Sequence, residues 1–344
     1  MTKLIAKKPN LFDYATSELS QDAFLCWLIA WSKPSNKEFD KKLNACGINF
    51  VQKLIGKPID IKTVVVNRQW HQIDVTALIN DKYFILIEDK TGSKEHSDQL
   101  KRYSKIAEDH YKKTDIELVL VYFKMEEQGK YINIANAGFS RFSRTQMLEI
   151  LNSYFEDTTE INRNAIIADF HKKMTWLDTS INAYENLPLE KWRWYQWQGF
   201  YTNLQNNINA NWEYVANASG GFLGLWWHWK YFNLNGKEFE FYLQLEQDKF
   251  VCKLYVYEEK NRREIRDLYR KILFEQAKKQ SIDIVKFGRI GKYMGVAKLA
   301  SEYRITNNEG TLDFDKTIEK LNEMMKLIDE TERAITQYNN VYSS

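Results

Sequence analysis

Two apolar strands divided by a polar pair dominate the pattern of the chain. Ile73 to Ile79 and Tyr83 to Ile87, joined by Asn80-Asp81, predict a tight hairpin. The second strand ends abruptly in Glu88-Asp89-Lys90. Strand alternation puts Glu88 and Lys90 on one face and turns Asp89 to the other. After Thr91-Gly92-Ser93 the pattern predicts a helix from near Lys94 to Tyr111, on which Gln99 and Tyr103 stand four apart and share a face. Ile116 to Phe123 is an almost unbroken apolar run between polar residues, as expected of a strand covered on both sides.

Upstream, Leu11 to Trp31 carries Phe12, Ala15, Leu19, Ala23, Cys26, Trp27 and Ala30 at helical spacing, with Ser17 or Ser20 as the cap. Phe39 to Ile55 reads as a second helix and Ile59 to Trp70 as a β-branched strand. Downstream, Thr145 to Phe155 and Ile166 to Tyr184 read as helices, followed past Pro188 by an aromatic helix, Leu189 to Ile208. An antiparallel meander then follows, with strands Leu223 to Leu234, Lys237 to Glu246 and Phe250 to Tyr257 separated by Asn235-Gly236 and Gln247-Asp248. A basic helix from Asn261 to Lys279, two short strands (Ile284 to Phe287, Tyr293 to Ala300) and an amphipathic helix from Asp313 to Thr336 complete the chain.

Composition changes this picture little. With 344 residues, 44% hydrophobic and 28% charged, the chain has room for two domains or one large one and reads as a soluble globular protein. A net charge of +3 neither supports nor excludes a nucleic-acid partner, because a basic face can hide in a near-neutral sum. Cys26, Cys46 and Cys252 lack Cys-x-x-Cys spacing, which argues against a structural zinc site or a disulfide framework. No charged-then-apolar leader opens the chain. The longest apolar run, Phe24 to Trp31, is far short of the ~20 residues of a membrane span, so the expectation is a cytoplasmic protein without a membrane partner.

The candidate chemistry lies at the end of the hairpin. If Asp74 faces the same way as Glu88, two carboxylates and the Lys90 ammonium meet at one spot, a donor set suited to a hard divalent cation and to hydrolysis of a phosphodiester. Asp74, Glu88-Asp89-Lys90 and the Gln99-x-x-x-Tyr103 helix resemble the PD-(D/E)XK nuclease superfamily, which includes restriction endonucleases and RecB-type exonucleases. The Gln-x-x-x-Tyr helix is most similar to the RecB-like branch. With the segment Ser17 to Phe24, the first half resembles a bacterial group of such proteins without an assigned role.

That resemblance implies an α/β fold. A restriction-endonuclease-like core, a mixed sheet flanked by helices, would span residues 1–157, and an α+β part with the antiparallel meander would span 158–344. It implies a Mg²⁺-dependent (or Mn²⁺-dependent) nuclease with nucleic acid, DNA before RNA, as its substrate. The alternatives are a binding or regulatory module without turnover, and a nuclease active only with a partner. In the family an acidic residue of the first helix points into the metal site, and Glu18 matches it. Asp74, Glu88, Glu18 and the backbone carbonyl of Asp89 are then the metal ligands, Lys90 positions the attacking water, and Gln99 with Tyr103 braces the site or a phosphate as part of the catalytic set. Lys94, Lys101 and Arg102 beside it, and Arg262, Arg263 and Arg266 on the basic helix, are candidate phosphate contacts. The aromatic residues of the second half are expected in a core or interface ahead of base stacking. That half would serve substrate recognition or oligomerisation, as a homodimer or with another protein. His71 and His96 show no ligand spacing and are expected to be ordinary residues.

Overall fold

In the computed structural model, which describes residues 9–95, 98–156, 163–217, 220–234 and 236–342, the chain forms two units, Met1–Ser180 and Ile181–Ser344. His96, Asn235 of the expected hairpin turn and residues 157–162, around the expected domain boundary, lie outside the described residues.

The first unit opens with helix α1 (Glu18–Trp31), capped by Ser17, and α2 (Lys41–Ile55), capped by Asp40 and ended by Gly56 in the left-handed region (φ 80°). Strands β1 (Val64–Trp70), β2 (Ile73–Ile79) and β3 (Tyr83–Lys90) form an antiparallel meander. Asn80 and Asp81 both take positive φ (56° and 50°), as a type I′ turn requires. Helix α3 (Gln99–Tyr111) starts later than the pattern suggests and crosses over to β4 (Glu117–Lys124), which runs parallel to β3. A short α4 (Ile132–Asn136), a parallel β5 (Ser140–Ser143), α5 (Arg144–Glu156) and α6 (Ala165–Asn182) follow. The result is a five-stranded mixed sheet in the order β1-β2-β3-β4-β5, flanked by helices. Phe170 of α6 stacks on Phe24 of α1 with ring centroids 3.7 Å apart, so α6 belongs to this unit.

The buried face of α1 is not the one its apolar spacing suggests. Leu19 is 54% exposed and Ala23 is exposed, whereas Gln21, Asp22, Phe24, Leu25, Leu28 and Ile29 are buried. The helix is apolar nearly all round, so periodicity alone cannot choose the side, and packing onto the sheet decides it. This rotation drives Gln21 and Asp22 against β3.

The second unit contains α7 (Trp194–Ile208) and a six-stranded antiparallel sheet. Its strands are β6 (Asn211–Val215), β7 (Phe222–Leu234), β8 (Lys237–Glu246), β9 (Lys249–Val256), β10 (Ile284–Lys286) and β11 (Tyr293–Leu299), in the order β10-β11-β9-β8-β7-β6. Helices α8 (Arg262–Lys279) and α9 (Phe314–Tyr342) complete it, with Ile265, Leu273, Leu321 and Ile328 in its core. An irregularity in β7 between Trp227 and Lys230, where His228 takes φ 57°, shifts the phase of the strand. Trp227 and Phe232 therefore enter the core, while Trp229 and Tyr231 face outward at 44% and 56% exposure. Among the described residues no helix is long and apolar enough to cross a membrane.

Candidate active site

The hairpin sets the geometry. Beyond the paired residues Val75 and Ile87, Asp74 and Glu88 come next on adjacent strands, and the Asp89 N–H donates to Asp74 Oδ2 at 3.0 Å. Glu88 is fully buried, and Lys90 Nζ lies 2.7 Å from its Oε1. Neither oxygen of Glu88 receives an aligned hydrogen bond. Burial, and then the Asp74 charge, push the Glu88 carboxyl up to about 8, with Lys90 opposing. Burial pulls Lys90 down, but Glu88, Glu18 and Asp74 outweigh it and hold the ammonium above its ordinary range.

Glu18, the first residue of α1, reaches the loop that follows β3. Its Oε1 accepts from Thr91 N (3.2 Å) and Ser93 Oγ (2.8 Å), and its Oε2 lies 3.8 Å from Lys90 Nζ. Gln99 and Tyr103 act one step back. Gln99 Nε2 donates to the Tyr103 hydroxyl (3.2 Å), which donates to the Gln72 carbonyl (2.7 Å), two residues before Asp74. They brace the β1 to β2 turn rather than touching Glu88 or Lys90. Tyr103→Phe is therefore expected to cost about 1 kcal/mol of stability, the typical worth of one such bond. Chemical denaturation measures it, and an unchanged midpoint would show that the turn holds without this hydroxyl.

Three groups near the hairpin end escaped sequence reasoning. Asp22 is 1% exposed and its carboxyl faces that of Asp89, whose side chain lies on the opposite face from Glu88 and accepts from Gln21 Nε2. Burial first, then Asp74 and Glu18, push Asp22 up to about 7 against the opposing Asp89 hydrogen bond; burial, then Asp22, holds Asp89 well above the carboxylate range. One proton shared within this pair spares the interior two adjacent negative charges. The third is Lys124, in register with Lys90 across β3 and β4 and 2% exposed. Its ammonium donates to the carbonyls of Thr91 (3.0 Å) and Ser93, fixing the loop that Glu18 holds from the other side. Burial lowers it to about 8. The available signals were a buried strand ending in lysine beside the first one, and Gln21-Asp22 in phase with Phe24, Leu25 and Leu28.

The remaining expected contacts are scattered. Lys94, Lys101 and Arg102 are exposed beside the site; Lys101 lies 3.6 Å from Asp98 and Arg102 lies over the Tyr103 ring. On α8 in the second unit, Arg262 pairs with Glu259 and Arg266 with Asp267, both side chains largely covered, while Arg263 is exposed. His71 sits at φ 50° in the β1 to β2 turn, its ring edge-on to Trp70.

Among the described residues, no group of three or more His, Cys, Asp or Glu side chains is gathered at ligating distance. The hairpin end still fits a hard cation by its donors. Asp74 and Glu88 supply carboxylate oxygens, and those of Glu88 are buried and, even with Lys90 beside them, costly to ionise until a further positive charge arrives.

A family profile described as the PD-(D/E)XK nuclease superfamily matches residues 9–191, more than half of the chain. No curated protein and no solved structure matches it.

Proposed function

Because the chain belongs to the PD-(D/E)XK nuclease superfamily, we propose that it is a Mg²⁺-dependent (or Mn²⁺-dependent) nuclease of the RecB-like branch that hydrolyses phosphodiester bonds, in DNA before RNA. The observation that carries this reading is the fully buried Glu88 carboxyl, set beside Asp74 and ion-paired with Lys90. An isolated fold has no physical use for that arrangement, since burying it costs stability.

Asp74, Glu88 and the Asp89 carbonyl would hold the divalent ion, with Glu18 at the margin. Bound there, such an ion supplies Lewis-acid activation of the phosphate and of the attacking water. Lys90 remains an ammonium at neutral pH, so its part is to orient that water and to offset negative charge growing on the phosphorus oxygens. The Asp89 N–H fixes one oxygen of Asp74, and Glu18 with Lys124 fixes the loop behind Lys90. Lys94, Lys101 and Arg102, exposed on the loop and helix that follow β3, would meet flanking phosphates. The preference for DNA and the branch rest on the likeness of the Gln99 to Tyr103 helix to the family.

The test is a panel of supercoiled, linear and single-stranded DNA and RNA, incubated with Mg²⁺ or Mn²⁺ and in parallel with chelator. Metal-dependent cutting of at least one DNA form is expected. No cutting of any form, together with no heat of metal binding by calorimetry, would overturn the assignment.

A further inference from the structure

The second unit presents an aromatic sheet face next to an uncompensated basic hairpin. The register β7-β8-β9-β11 sets Tyr231 opposite Glu240, Glu240 opposite Tyr255 and Tyr255 opposite Tyr293, a row of one face across four strands. Three strand spacings make this row about 14 Å long, room for roughly four bases at the ~3.4 Å stacking distance. In the next row Trp229 lies parallel on Tyr242, centroids 4.0 Å apart and planes 13° apart, and is still 44% exposed. Tyr293, at the other end, is 59% exposed. These are large rings left in water on a sheet whose opposite face is fully packed.

Charge says what would cover them. From Ile284 to Leu299 there is no acidic residue, and the segment carries Lys286, Arg289, Lys292 and Lys298. The first three are exposed, and none of the four has a carboxylate partner among the described residues. Lys292 lies 5.3 Å from the centre of the Tyr255 ring, which joins the cations to the aromatic row. Of the acids on this face Glu246 is offset by Lys253, while Glu238 and Glu240 accept from the Tyr231 and Tyr257 hydroxyls, two acids against the larger set of hairpin cations. The α8 arginines, mostly held in local pairs, offer much less free charge.

We propose that this face binds single-stranded nucleic acid, with unpaired bases stacking on Trp229 and the Tyr231 to Tyr293 row and the phosphate backbone following Arg289, Lys292 and Lys298; Lys286, paired with Ala297 of the packed face, lies on the other side of the sheet. A duplex keeps its base faces stacked inside and cannot use the rings, whereas a single strand uses rings and cations together. The inference extends the nucleic-acid reading of the first unit, but its test needs no catalysis.

Fluorescence anisotropy of the full chain in chelator, with labelled oligothymidylate, oligouridylate and a duplex of the same length, reads it directly. The single strands are expected to bind about tenfold or more tightly than the duplex. Tyr293→Ala and Trp229→Ala should each weaken single-strand binding about 5- to 150-fold, the range for one lost stacking partner. A variant with Arg289, Lys292 and Lys298 all changed to Gln should reduce the salt-dependence slope by about 2. Tyr293 is mostly exposed, so its variant keeps the fold and decides the matter if Trp229→Ala melts early. Duplex binding as tight as single-strand binding, or aromatic variants that bind like the wild type, would overturn the proposal. Since chelator prevents cleavage, such a failure leaves the nuclease assignment standing, and failure to cleave leaves this surface standing.

Discussion

Lys90→Met is expected to lower single-turnover cleavage by a factor of about 10² to 10³ or more, in the range found when one preorganised charge is removed from a transition state. The substitution keeps length and removes the ammonium that lies 2.7 Å from Glu88 and 3.8 Å from Glu18. Without it, Glu88 takes up a proton more readily, because burial and Asp74 already push its carboxyl to about 8. The loss is thus double: the charge that offsets the phosphorane disappears, and the neighbouring carboxylate becomes a poorer ligand. Protonation of Glu88 also spares the interior an isolated charge, so circular dichroism at neutral pH should remain that of the wild type. Lys90→Arg, which keeps the charge, should retain more activity than Lys90→Met. Wild-type rates in the methionine variant would remove Lys90 from the chemistry.

The metal-free protein is expected to lose stability as pH rises from about 4 towards 8. Asp22 has a folded-state value raised to about 7 and Glu88 one raised to about 8, whereas both ionise near 4 when unfolded. Between those values the folded state holds protons that the unfolded chain has released, so the slope of unfolding free energy against pH is negative. Below about pH 4 both states are protonated and the penalty vanishes; above the folded values it is complete. Thermal melts in chelator should fall by on the order of 5 °C or more across this window. Asp22→Asn cannot ionise, so its melts should decline less steeply and exceed wild type most at alkaline pH. A flat wild-type profile, or a variant with the same slope, would contradict the buried-acid account.

The hairpin was legible because its signals are local. Asn80-Asp81 can adopt left-handed backbone between two apolar runs, and Glu88-Asp89-Lys90 ends a strand that is otherwise wholly apolar. The crossover to a buried parallel strand was legible from the apolar run that became β4. Small β5 was not, because four residues, Ser140 to Ser143, carry no alternation above background. The aromatic residues of β7 are expected in a core or interface; a phase shift at His228 puts Trp227 and Phe232 in the core and leaves Trp229 and Tyr231 outside.

Sequence alone determined the longer elements, their order, and which residues end the central hairpin, since turn chemistry and apolar period act over a few residues. Tertiary structure decided which face of α1 is buried, and so brought Asp22 and Gln21 against Asp89 and Glu18 against Lys90. It decided that Gln99 and Tyr103 reach the Gln72 carbonyl, and that Lys124 stands level with Lys90. Those outcomes depend on packing between segments far apart in the chain. An apolar helix with two equivalent sides, or a charged residue at a strand end, carries no local record of what will cover it.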